Sequence, residues 1–217
     1  MTKHLQPAGT VVFLVSVLLL CAALTSMSPA AEFDFLLEAR PGTLIVARDS
    51  GEFRALGPSP LEPAPGHGTL TVLEEAGGLA TFPNVRLGVG AEVGKAYADV
   101  TVGGGILVTE RFRSLMASVD GSLQYKFRKN ISIGPHLGLA YFDTPQWSGD
   151  AEIEFSDSWG ILGGMELAVW YDILFVFCVD YFYIEPFDVT VRPPWEVTDT
   201  QLDFTGPSVQ FGLRGRF

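Results

Sequence analysis

The sequence predicts an all-β protein: eight antiparallel strands closing up and down into a transmembrane β-barrel, behind an N-terminal extension. Three observations predict it. From about residue 69 onward, apolar residues alternate with polar or glycine residues, the two-residue beat of a strand with one apolar face. Short polar turns alternate with longer connections, as in barrels whose two rims differ. The chain ends on Phe217, an aromatic that closes a strictly alternating strand.

Met1 to about Ala30 reads as an export signal. Lys3 and His4 open it, Val11 to Leu24 is an apolar stretch broken only by Ser16, and Ser28-Pro29-Ala30 supplies small residues for cleavage. All 25 acidic residues follow this segment, whereas only 13 of the 14 basic ones do. So acidic a chain is a poor partner for nucleic acid. Cys21 leaves with the signal, and Cys178 alone cannot form an internal disulfide. The longest later apolar run, Ile173 to Val179, is far too short for a helical span. A membrane crossing must therefore use a closed barrel, because open strand edges find no partner in a bilayer.

Residues 31–67 read as a Pro-rich extension and linker, with Pro58, Pro60, Pro63 and Pro65 removing ladder donors. The barrel is expected over 68–217. Thr43 to Ala47 is the one piece of the extension that could be a further strand, which leaves the count open between eight and ten.

The strands are expected in order. Thr69 to Glu75 has the weakest pattern. Val85 to Val93 and Ala98 to Val108 flank a turn at Gly94-Lys95-Ala96. Leu115 to Phe127 and Ile131 to Tyr141 flank the polar turn Arg128-Lys129-Asn130. Trp159 to Tyr171 passes through Asp172 into Ile173 to Ile184, and the closing strand ends at Phe217. Long connections fall at 143–157 and 186–201. Aromatics gather at strand ends: Tyr125, Phe127, Tyr171 and Phe217 at the short-turn rim, Tyr141, Trp159 and Tyr183 toward the other. Two aromatic girdles around an aliphatic band suit two lipid–water interfaces. The opposite faces are rich in glycine, as a narrow lumen needs.

Gln210, Gly212 and Phe217 match the terminal pattern of polar, any, Gly, two of any kind, hydrophobic, any, aromatic; Gly215 stands where an apolar residue is usual. With the signal and the alternating strands, this resembles small bacterial outer-membrane β-barrels of the OmpA and OmpX type. The resemblance covers about residues 69–217. It implies a place in the outer membrane among its lipids. It also implies delivery to the barrel-assembly machinery through the C-terminal strand, and a role in stabilising, anchoring or presenting loops. An extracellular ligand would meet the loops 143–157 and 186–201, which carry Trp147 and Trp195 among acidic residues.

The lumen is expected to hold Arg86, Glu92, Asp99, Asp120, Lys126, Glu166, Asp180, Arg214 and Arg216. An eight-stranded barrel is only wide enough for side chains to fill, so these charges must pair. Ser122, His136 and Glu166 are of the residue types of a nucleophile, base and orienting acid. They point into the lumen, however, and a satisfied interior histidine is the plainer reading. Neither metal-ligand spacing nor a phosphate loop stands out, so no cofactor is expected. A non-enzymatic structural, anchoring or surface-interaction barrel is the leading function. A lipid-modifying barrel enzyme, a narrow pore and a soluble lipocalin-like barrel are the alternatives.

Overall fold

The computed structural model describes residues 32–45, 53–58, 70–171 and 173–217. The expected signal at 1–30, Cys21, His67, Thr69 and Asp172 lie outside the described residues. Eight strands form one ring: β1 (Glu32–Arg40), β2 (Asn84–Val93), β3 (Ala96–Val108), β4 (Phe112–Arg128), β5 (Ile131–Trp147), β6 (Ser158–Trp170), β7 (Leu174–Ile184) and β8 (Gly206–Arg216). Each runs antiparallel to the next, and β8 pairs back onto β1. Closure removes the sheet edge, the condition for strands in lipid.

The first strand corrects the boundary expected at residue 68. Glu32–Arg40 is barrel wall, not linker. Phe33, Phe35, Leu37 and Ala39 face outward, while Leu36, Glu38 and Arg40 are buried inward. Pro41 then breaks the pattern. It has no N–H to give, so the ladder is interrupted there, although its carbonyl still accepts from Phe211 N at 3.0 Å. Gly42–Ile45 resumes the same register against β8, with Gly42 opposite Gln210 as Ala39 is opposite Leu213. Leu79–Thr81 continues β2 beyond Pro83 in the same way. Residues 43–45 thus prolong β1 rather than adding a strand, and the ring stays at eight.

Leu70–Glu75, expected as the first barrel strand, lies outside the ring. It pairs with Arg54–Pro58, which also pairs with Glu196–Val197. A second small sheet joins Ile153–Phe155, Phe187–Val191 and Gln201–Leu202. Both belong to the long connections, which fold into a cap over one rim. The other rim carries the chain start of β1, the short turns and the chain end. One of those turns uses Gly94 at φ +63°, a conformation that a side chain disfavours.

The outward face is an exposed apolar belt, with Leu87 60%, Leu137 66%, Ile161 55% and Val179 51% accessible. Phe33, Phe35, Tyr125, Phe127, Tyr171 and Phe217 ring its short-turn edge; Trp159, Tyr181 and Tyr183 lie toward the cap. An apolar surface of this extent faces lipid, not water. A lipocalin-like soluble barrel would carry its apolar face inside, so that alternative is overturned by the direction of these side chains.

Phe217 sits on the closing seam. It exchanges both backbone hydrogen bonds with Phe35, at 3.0 and 3.1 Å. A Cβ at Gly215 would lie 3.1 Å from the Phe217 ring, so a larger residue there would crowd the terminal aromatic.

Candidate functional site

The strand beat sends every second side chain into the lumen, and three layers fill it. At the short-turn rim, the Arg216 guanidinium lies 4.3 Å from the Tyr97 ring and 4.0 Å from the Trp170 ring. Such stacking on aromatic faces suits the weakly hydrated guanidinium. Arg216 also pairs with Asp34, and Lys126 with Glu92. Lys126 sits 5.4 Å from the Trp170 ring.

The middle layer is a buried charge network. Arg214 bridges Glu38 at 2.6 Å, Asp99 at 2.9 Å and Glu166 at 3.3 Å. Arg40 joins Glu38 and reaches Glu166 at 2.8 Å. Gln124 donates to Glu166 and accepts from Ser132 at 2.5 Å. Beside it, Arg86 pairs with Asp120 at 3.2 Å, and His136 lies between Asp120 at 3.4 Å and Asp180 at 3.1 Å. Gln210 donates to Asp180 at 2.8 Å. These side chains are nearly or wholly buried. Burying so many charges is tolerable only because each has a partner.

All nine expected lumen charges point inward. Six lie in the middle layer, and Glu92, Lys126 and Arg216 lie at the short-turn rim. Sequence reasoning missed Asp34, Glu38 and Arg40, because residues 31–67 read as linker. Their signal was available: Phe33, Phe35 and Leu37 alternate with them.

Ser122 and His136 are opposite in register, but their side chains do not form a triad with Glu166. Ser122 Oγ donates to Asp99 at 2.7 Å. The His136 nitrogens face Asp180, Asp120 and Arg40, and Glu166 is held by the two arginines and Gln124. Among the described residues no hydroxyl hydrogen-bonds to the imidazole, and the side chains of the network are nearly or wholly buried.

The third layer is apolar. Leu44, Phe82, Leu107, Phe142, Leu162 and Phe182 are buried at the cap end of the lumen and continue into the cap through Phe53, Phe112, Phe187 and Phe204. Phe112 lies 4.9 Å from Phe204 and 5.0 Å from Phe187, ring to ring. The loop tryptophans serve this packing. Trp147 stacks near Phe53 at 5.7 Å and donates its indole N–H to Glu74 at 2.5 Å. Trp195 lies against Gly57. Both are partly buried and pack within the cap.

Glu74 is the hinge pin of that arrangement, accepting also from Asp150 N at 2.7 Å. Glu74→Ala strands two donors, a loss of about 1–3 kcal/mol. The expected result is faster proteolysis within the cap while the folded barrel band on an unheated gel persists.

No family model and no curated protein matches the chain. Among solved structures it is similar to the outer membrane protein OprG from Pseudomonas aeruginosa, with a TM-score of 0.49, 15% identity and coverage of 85% of this chain and 95% of that one. It is similar to Neisserial surface protein A, with a TM-score of 0.41, 13% identity and coverage of 84% and 97%. It is also similar to the translocator domain of the autotransporter NalP from Neisseria meningitidis, with a TM-score of 0.35, 10% identity and coverage of 97% and 96%.

Proposed function

We propose that this protein is a non-enzymatic barrel of the bacterial outer membrane that anchors a rigid cap at the cell surface. The observation that carries the reading is the filled lumen: an aromatic–guanidinium stack, a paired charge layer and an apolar plug follow one another along the axis. A passage for ions is poorly served by such packing, and so is chemistry on a lipid that would have to enter it. In planar bilayers the refolded protein should give no steady conductance. Regular single-channel steps that vanish in a plugged control would replace this reading with the narrow pore.

The cap is the part offered to partners. Its exposed acidic groups include Asp150, Glu152, Glu154, Asp188, Glu196 and Asp199, with Arg192 drawn between Glu152 and Glu154. The partner we propose is a cationic protein surface meeting the connections 143–157 and 186–201. Protease added to intact cells should cut within these connections and spare the Arg128–Asn130 turn. The reverse pattern would invert the topology.

Assembly is proposed to run through the C-terminal strand, with Phe217 as its closing residue. Phe217 lies exposed on the seam where β8 meets β1, so its deletion removes two ladder bonds as well as the terminal aromatic. Deletion should lower the amount of folded barrel in the membrane fraction. Unchanged assembly would end the signal reading.

A further inference from the structure

The middle layer carries more negative than positive charge. Among its described residues, five carboxylates face three guanidiniums and the imidazole of His136. Its side chains are nearly or wholly buried, between the Arg216–Tyr97–Trp170 stack at one end and the apolar layer at the other. A buried layer with more carboxylates than guanidiniums can hold a metal cation.

One place in the layer has the donors for it. His136, Cys178 and Asp180 each present one ligand atom, and the three atoms lie within 4.8 Å of one another. Cys178 and Asp180 share the inward face of β7. His136 comes from β5, two strands away. Gly164 of β6 stands opposite both His136 and Asp180. A Cβ at Gly164 would run into the Asp180 side chain and backbone, so only glycine lets His136 and Asp180 meet above it. His136 Nδ1 and Asp180 Oδ1 are 3.1 Å apart, close to the separation of about 3.4 Å expected for two ligands of one tetrahedral zinc.

Outer groups orient these ligands as metal sites require. Asp120 lies 3.4 Å from His136 Nε2, which also has Arg40 Nη1 at 3.3 Å. Gln210 donates to the other Asp180 oxygen at 2.8 Å. Arg40 Nη1, itself held by Glu38 and Glu166 through the same guanidinium, donates to Cys178 Sγ at 3.2 Å, and the thiol in turn donates to Glu166 at 3.5 Å. Gln210 Oε1 and Ser208 Oγ are fully buried on β8, opposite Cys178 and Asp180, and have no hydrogen-bond partner. They are oxygens without a donor, beside a carboxylate and an imidazole that already face each other.

We propose that His136, Cys178 and Asp180 bind a divalent transition metal of the zinc class inside the lumen, with Gln210 Oε1 as a further oxygen. One sulfur, one imidazole nitrogen and oxygen suit zinc better than magnesium or calcium, which take oxygens alone. Binding releases the thiol proton, and the metal ties β5 to β7 across β6. Because the lumen is closed, the ion enters as the barrel forms.

The test refolds the full chain carrying Cys21→Ser, so that Cys178 is its one thiol, into detergent with Co2+, with Zn2+ or with EDTA. One metal per folded chain should survive dialysis, and the Co2+ form should show a thiolate-to-cobalt charge-transfer band. Cys178→Ser should lose that band. Should this variant fail to fold, X-ray absorption on the Zn2+ form of the parent chain decides instead, through a single sulfur among the ligands. A parent barrel that folds and retains no metal overturns the proposal; so does retained metal without sulfur at it, which places the ion on the acidic cap. Neither outcome touches the closed-lumen reading, which the conductance experiment tests separately.

Discussion

Replacing Glu166 by alanine should strongly destabilise the folded barrel. Glu166 receives Arg40 at 2.8 Å and Arg214 at 3.3 Å and also accepts from Gln124. The side chain is fully buried. Removing it leaves two guanidiniums short of a partner where water does not reach, a loss of roughly 3–5 kcal/mol. Marginally stable folds lose most of their margin at that size. The exposed pair Arg192–Glu154 on the cap is the contrast, because Arg192→Ala should cost under about 1 kcal/mol. Urea unfolding in lipid vesicles, followed by loss of the fast-running band on unheated gels, measures both. Similar midpoints for the two variants would mean that the lumen network does not hold the barrel.

Leu137→Arg should prevent stable insertion in proportion to its depth in the lipid. Leu137 is 66% exposed on the outward face of β5, within the aliphatic band. An arginine there costs about 2–4 kcal/mol at mid-bilayer. Leu167→Arg, on the outward face of β6, should behave alike. The sequence alone suggests Gly138→Ser as a harmless inward control, but the structure removes it. A Cβ at Gly138 would press on Asp120 Oδ1 and on Leu162 Cγ. Ser118→Ala is the sound control: Ser118 is buried, and its hydroxyl has no partner. Losing an unpaired buried hydroxyl costs little or is favourable. Refolding yields that fall equally for Leu137→Arg and Ser118→Ala would mean that the two faces are wrongly assigned.

The period-two beat from Val85 onward was enough to place seven strands and the direction of their side chains. The beat survives because a strand between lipid and a packed lumen has no freedom to slip by one residue. It also marks Glu32–Arg40, but Pro41 cuts that strand short and a Pro-rich stretch follows. The segment therefore resembles a tail until its partners on β2 and β8 are known. Leu70–Glu75 shows the reverse case. It is a strand, as expected, yet local pattern does not say whether a strand joins the wall or the cap. The nine lumen charges were legible because each falls on an inward beat. Their pairing was not. Arg40, Glu166 and Arg214 come from three strands, and His136 meets Asp180 only because Gly164 leaves the space between them. The packing of Trp147 and Trp195 was hidden for a similar reason, since an aromatic in an acidic loop says nothing of Phe53 or Gly57 beneath it.

The central claim is that residues 32–45 complete the wall of a closed eight-stranded barrel. Refolding the full chain beside a fragment of residues 68–217 tests it directly, with heat-modifiable gel mobility as the readout. The full chain should give the compact, heat-sensitive band, and the fragment, one strand short of closure, should give only the slow unfolded one. A compact band from 68–217 alone would mean that the barrel closes without β1.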